Sequence, residues 1–213
     1  MLDAGSGNAR LHHELTSLIT QHELPWHIQS HNFPDGDLRE IQSFGGAGVV
    51  IAHELLDDIP CTIAELNEEL LPVRIDVDPL TGHEIVWGEL SAQETAWLNR
   101  WWPATVSLAR REIGITRDQL WAKLLGLFDT GCAIMIDYCT TFSERASGHF
   151  DAGTLIGYQN GRATRPIPDS SMNITAHVSI ESLIELAAQL GKPAPEVRRE
   201  SVHSDFHWLV QPL

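Results

Sequence analysis

Apolar positions along this chain recur with two distinct periods. Residues 9–22 carry Leu11, Leu15, Leu18 and Ile19 at spacings that put them on one helical face. Residues 26–30 read as a strand. Gly48-Val49-Val50-Ile51-Ala52 is a continuous β-branched run, the pattern of a strand buried on both faces of a parallel sheet. From Leu71 to Gly88 the period becomes two: residues 73–77 and 83–87 alternate around Pro79-Leu80-Thr81-Gly82, which predicts a β-hairpin. Helices are predicted over 92–101 and 117–128, separated by Pro103 and Gly114. Residues 132–138 predict another buried strand and 153–158 a further one. Residues 179–190 predict an amphipathic helix with Ser179 as its cap, and 206–210 a last strand.

Helices alternating with parallel strands imply a doubly wound α/β fold. The stretch from Ala52 to Ala133 far exceeds the roughly 30 residues of one crossover unit, so an insertion is expected at the carboxyl end of the sheet, where open α/β sheets bind ligands. At the other end, Met1 falls inside the first strand, which leads to the expectation of a truncated or misassigned N-terminus.

Composition narrows the function. A chain of 213 residues with 43% hydrophobic and 20% charged residues is a folded globular protein of single-domain size. Its 14 Lys and Arg face 29 Asp and Glu, a net charge of −15. Nucleic acid and anionic membrane are therefore disfavoured as partners, and a basic partner is favoured. Cys61, Cys132 and Cys139 form no CxxC pair, so neither a disulfide framework nor a cysteine zinc site is indicated and a reducing cytoplasm is expected. The longest apolar runs fall far short of the roughly 20 residues of a membrane span.

Several segments could carry chemistry. In Asp3-Ala4-Gly5-Ser6-Gly7-Asn8 the glycines let backbone N–H groups approach a ligand at a helix N-terminus. A tight strand-to-helix turn would use the same residues, and Arg10 stands where a dinucleotide fingerprint has its third glycine. His53-Glu54-Leu55-Leu56-Asp57-Asp58 resembles a zinc-binding HExxH helix only until Asp57, which disfavours that site. Glu54 and Asp57, read as one helical turn apart, could converge on one cation or could be acids favoured at a helix start. Asp137-Tyr138 closes a buried strand, and Asn173 to His177 could line the same crevice; both could equally be loop hydrogen-bonding devices. The histidines of 203–207 read as surface residues.

In order, Asp3-Ala4-Gly5-Ser6-Gly7-Asn8, His53-Glu54-Leu55-Leu56-Asp57-Asp58-Ile59-Pro60, Ala133-Ile134-Met135-Ile136-Asp137-Tyr138, Gly153-Thr154-Leu155-Ile156-Gly157-Tyr158 and Asn173-Ile174-Thr175-Ala176-His177-Val178 resemble the MidA-like class I methyltransferases. That group includes the mitochondrial complex I assembly arginine methyltransferase. Trp101-Trp102-Pro103 and Arg110-Arg111-Glu112 resemble a bacterial branch of it. The resemblance implies a Rossmann-like sheet, mostly parallel with an antiparallel C-terminal strand. It also implies one methyltransferase domain over 1–213 with an inserted hairpin-and-helix cap at about 62–130.

The implied cofactor is S-adenosyl-L-methionine, held by Asp3, Gly5, Ser6, Gly7, Asn8, Asp37, Leu38 and His53. Glu54 and Asp57 are the implied catalytic carboxylates, and Asp137, Tyr138 and His177 the implied substrate-side residues. The implied acceptor is a protein arginine or a similar nitrogen. The chain departs from the pattern at His53, where the family has asparagine, and at His31-Asn32, where a ribose-binding acid is wanted. Residues 7–49 are short for two crossovers, so a reduced first half is expected. The alternatives are a catalytically impaired binding or assembly factor, a nicotinamide-dependent oxidoreductase and a metal-dependent hydrolase.

Overall fold

The computed structural model describes every residue except 6–9, 32–41, 104–105 and 202–203, and every described side chain except that of residue 87. Its first half runs β1 (Leu2–Ala4), α1 (Arg10–Gln21), β2 (Gln29–His31), β3 (Ala47–His53), β4 (Thr62–Leu66), β5 (Pro72–Val77), β6 (Glu84–Glu89), α2 (Ala92–Trp101) and β7 (Arg110–Ile113). The second half runs α3 (Ile115–Leu125), β8 (Thr130–Thr140), α4 (Phe142–Ala146), β9 (Ile156–Gln159), β10 (Arg162–Thr164), β11 (Asn173–Thr175), β12 (Val178–Ser179), α5 (Ile180–Gln189), β13 (Glu196–Arg199) and β14 (Phe206–Pro212). Two compact units result. One comprises Met1–Leu56, Asp118–Tyr138 and Leu183–Leu213; the other comprises Asp57–Arg117 and Cys139–Ser182.

The first unit is built on a sheet of order β13-β14-β8-β3-β1-β2. β2, β1, β3 and β8 run parallel, and β14 and β13 close the edge antiparallel. This is the expected α/β sheet with its antiparallel C-terminal strand. Val50, Ala52, Ala133, Met135 and Leu209 are fully buried, as continuous apolar strands between covered faces must be. α3 contributes Leu120, Trp121, Leu124 and Leu125 to this core. Among the described residues a single short strand, β2, lies beyond β1. β2 starts later than the pattern suggested, and no residue of α1 is fully buried, Leu18 being about half exposed (49%).

The second unit holds a four-stranded antiparallel sheet, β6-β5-β4-β7, and a three-stranded one, β10-β9-β11. The hairpin read from residues 73–87 is β5 and β6. α2 begins at a capping box in which Ser91 and Glu94 satisfy each other's N–H groups, which explains why its bounds are legible in the sequence. Trp97, Leu98, Trp102 and Ile113 pack with Ala64 as its core. The guanidinium groups of Arg111 and Arg145, both fully buried, lie over the Trp102 ring at 5.5 and 5.9 Å. β12 pairs with Cys139 and Thr140 at the end of β8. Ser179 does not cap α5: its Oγ is buried without a hydrogen-bond partner among the described residues.

Candidate functional site

Asp3 is the middle residue of β1, paired with Ser30 on β2 and Ile51 on β3, and it is buried. Its Oδ2 has no hydrogen-bond partner among the described residues. Burial raises its pKa, and the positive potential of His12 and His53 draws it back. Gly5 follows with φ +79, its N–H donating to the His31 carbonyl at 2.8 Å. A Cβ at Gly5 would stand 2.8 Å from Leu55 Cδ1, so both the positive φ and the close approach of Leu55 need glycine here. A buried acceptor with no donor among the described residues fits a cationic amino group.

β3 ends at His53, and no helix follows. Glu54 adopts the left-handed region with φ 46, its N–H donating to the Ile136 carbonyl of β8 at 2.8 Å. Leu55 and Leu56 are buried while the Glu54 side chain is exposed. The expected helical fork of Glu54 and Asp57 is therefore corrected: the segment is a loop, because Glu54 at φ 46 is outside the right-handed helical region, and the N–H groups of Glu54 and Leu56 are held by the Ile136 carbonyl and the Asp137 carboxylate of β8. The Leu56 N–H donates to Asp137 Oδ2 at 2.9 Å, and Asp137 Oδ1 accepts the N–H of Tyr138. Asp137 is fully buried; its position is that of a brace under the Glu54 loop.

The pleat separates the two faces of these strand ends. His53 is paired with Ile136, and Phe206 with Tyr138. The Phe206 ring meets Tyr138 at 5.0 Å and His53 at 6.1 Å, both edge-on. Phe206 is absent from the residues singled out in the sequence, where it marks only the start of a strand. The opposite face carries Asp137 and His207. His207 is buried, which corrects its reading as a surface residue: β14 alternates, and His207, Leu209 and Gln211 all point inward.

In the second unit Asp57 is buried and its carbonyl accepts from Arg117 Nη2 at 3.0 Å and from the Ala176 N–H. Arg117 also donates to the carbonyls of Ile59 and His177, at 3.0 and 2.9 Å. The His177 N–H donates to Thr154 Oγ1, which donates to Glu112. The Glu112 carboxylate further accepts the N–H groups of Thr154 and Leu155. Glu112 is buried, which raises its pKa; the bonds from Thr154 and Leu155 and the charge of Arg117 oppose the rise. Arg117 and Glu112 have no hydropathy signal, since buried charge is invisible to periodicity.

The structure thus gathers Asp3, Gly5, His53, Glu54, Asp137 and Tyr138 in one unit, at or beside the carboxyl ends of β1, β3 and β8, and Asp57 and His177 in the other. Ser6, Gly7, Asn8, Asp37 and Leu38 lie outside the described residues.

Residues 8–195 match the family model described as "Putative S-adenosyl-L-methionine-dependent methyltransferase". The chain belongs to that family. Two solved structures from Burkholderia thailandensis share this methyltransferase fold. One, bound to S-adenosyl-homocysteine, is 15% identical with a TM-score of 0.80, the match covering 100% of this chain and 70% of the other. The second, a native crystal structure, is 14% identical with a TM-score of 0.74, covering 100% and 73%. No curated protein matches the sequence. The family's methyl donor is S-adenosylmethionine, and the oxidoreductase and hydrolase alternatives fall with this assignment. Among the described residues no helix is long and apolar enough to cross a membrane.

Proposed function

We propose that this methyltransferase acts on a protein arginine, or a similar nitrogen acceptor presented by a basic protein, in the cytoplasm. Bound S-adenosylmethionine would supply an electrophilic methyl group whose transfer leaves S-adenosylhomocysteine. Asp3 binds the cofactor's ammonium, and Gly5, Ser6, Gly7 and Asn8 are assigned to its carboxylate. Asp37 and Leu38 are assigned to the adenine side and His53 to the flank of the site.

Glu54 is the acceptor-facing carboxylate. One observation carries this reading: an exposed acid held in a left-handed conformation at the end of β3, its N–H tied to Ile136 and its neighbour Leu55 packed under Gly5. A non-glycine residue at positive φ is sterically costly and persists where surrounding structure enforces it. Glu54 would balance the guanidinium charge and accept the proton released as nitrogen gains the methyl group. Asp57, second of the proposed carboxylates, orders its own loop through Arg117. Tyr138 lines the acceptor side and Asp137 acts there through the backbone it holds; His177, the third residue assigned to the substrate, belongs to the other unit. The net charge of −15 favours a basic partner and disfavours nucleic acid and anionic membrane.

The test is Glu54→Gln. S-adenosylhomocysteine should bind as in the wild type by calorimetry, while methyl transfer to an arginine peptide falls about 100-fold or more. Unchanged transfer would remove Glu54 from the reaction.

A further inference from the structure

We propose that Phe206 is a specificity-determining residue, its ring forming with Tyr138 and His53 an aromatic ledge on which the planar guanidinium of the acceptor stacks beside Glu54. The inference rests on the arginine reading above and deepens it. In the sheet, β3 lies between β1 and β8, so the strand ends next to the Asp3 turn are those of β3 and then β8. β14 runs antiparallel to β8, which brings its first residue, Phe206, level with Tyr138.

Directly paired residues share a face of a sheet, and residues two apart on one strand do so too. His53 with Ile136, and Tyr138 with Phe206, therefore stand on one side, while Asp137 and His207 occupy the other. The rings confirm the placement: Tyr138 to Phe206 is 5.0 Å at 64°, and His53 to Phe206 is 6.1 Å at 75°. Tyr138 is 42% exposed and His53 is exposed, so this ledge faces solvent. Glu54 follows His53 directly at the end of β3, exposed, with its N–H bonded to the Ile136 carbonyl.

Aromatic faces attract guanidinium more than ammonium because the planar cation stacks and is weakly hydrated, and an adjacent carboxylate adds charge complementarity. An arginine side chain is thus the occupant that uses every element of the ledge. Lysine would use the carboxylate and little of the rings.

The experiment follows methyl transfer from labelled S-adenosylmethionine by the full chain, with a glycine-flanked single-arginine peptide and its lysine counterpart. Phe206→Ala should raise KM for the arginine peptide about tenfold, with a smaller change in kcat. Phe206→Tyr should restore it, and S-adenosylhomocysteine affinity by calorimetry should stay constant throughout. An unchanged KM in Phe206→Ala, with the wild type active, overturns the ledge and leaves the arginine reading standing. A wild type that binds S-adenosylhomocysteine yet methylates only lysine, or neither peptide, overturns both. Should Phe206→Ala lose S-adenosylhomocysteine binding, Tyr138→Leu is read by the same two KM outcomes.

Discussion

Asp137 and Leu56, 81 positions apart, are joined by a hydrogen bond of 2.9 Å from the Leu56 N–H to the Asp137 carboxylate. Both residues are fully buried. The carboxylate holds the first turn after β3, and with it the backbone from which Glu54 projects.

Asp137→Ala leaves the buried N–H of Leu56 without its acceptor. The expected cost is about 1.5–3 kcal/mol, the usual weight of a hydrogen bond to a charged group. Asp137→Asn retains an acceptor and should cost less. Urea unfolding measures both, and an alanine variant as stable as the wild type would show that the brace has no weight.

Asp3 predicts a pH dependence in cofactor binding. Burial raises its pKa, with His12 and His53 opposing. An ammonium ligand needs the ionised form, so S-adenosylhomocysteine affinity should fall on acidification through this raised value, earlier than an exposed carboxylate would cause. Folding has the opposite sign: the proton is held more tightly in the native state, so the contribution of Asp3 to stability declines as pH rises from the ordinary carboxylate range through the raised pKa. Asp3→Asn should lower affinity about 10- to 100-fold and flatten the acid fall, measured by calorimetry between about pH 4 and 7. An Asn variant with the wild-type pH profile would exclude Asp3 from the ligand.

Glu112 and Gly153 predict a second effect, in the other unit. Gly153 has φ +78, and a Cβ there would lie 2.5 Å from Glu112 Oε1. Gly153→Ala should cost about 1–3 kcal/mol from left-handed strain and displacement of that carboxylate, visible as a lowered Tm. Burial is the main cause of the raised Glu112 pKa, so this stability contribution likewise declines as pH rises through the interval above the ordinary value. Glu112→Gln should remove that slope from unfolding curves. A slope that survives the substitution would place its origin elsewhere.

How much was legible differs by element. The β-branched run of β3, the alternation of β5 and β6 and the bounds of α2 follow from short-range rules of pleat, turn and cap that the residues satisfy locally. The order of the Asp3, His53, Asp137, Gly153 and Asn173 segments pointed to the methyltransferase family. The loop at Glu54 was hidden, since its acids suit a helix start and its bonds to Ile136 and Asp137 come from a strand far along the chain.

By itself, then, the sequence determined the buried run of β3, the hairpin of β5 and β6, the bounds of α2 and which family's ordered motifs the chain carries, because these are written in neighbouring residues. Tertiary structure alone decided that Glu54 leaves a loop, that His207 turns inward, that Phe206 meets Tyr138, and that Arg117 and Glu112 are buried. Each of those outcomes depends on a partner brought near by strand pairing or packing, and no local pattern encodes the identity of a partner dozens of residues away.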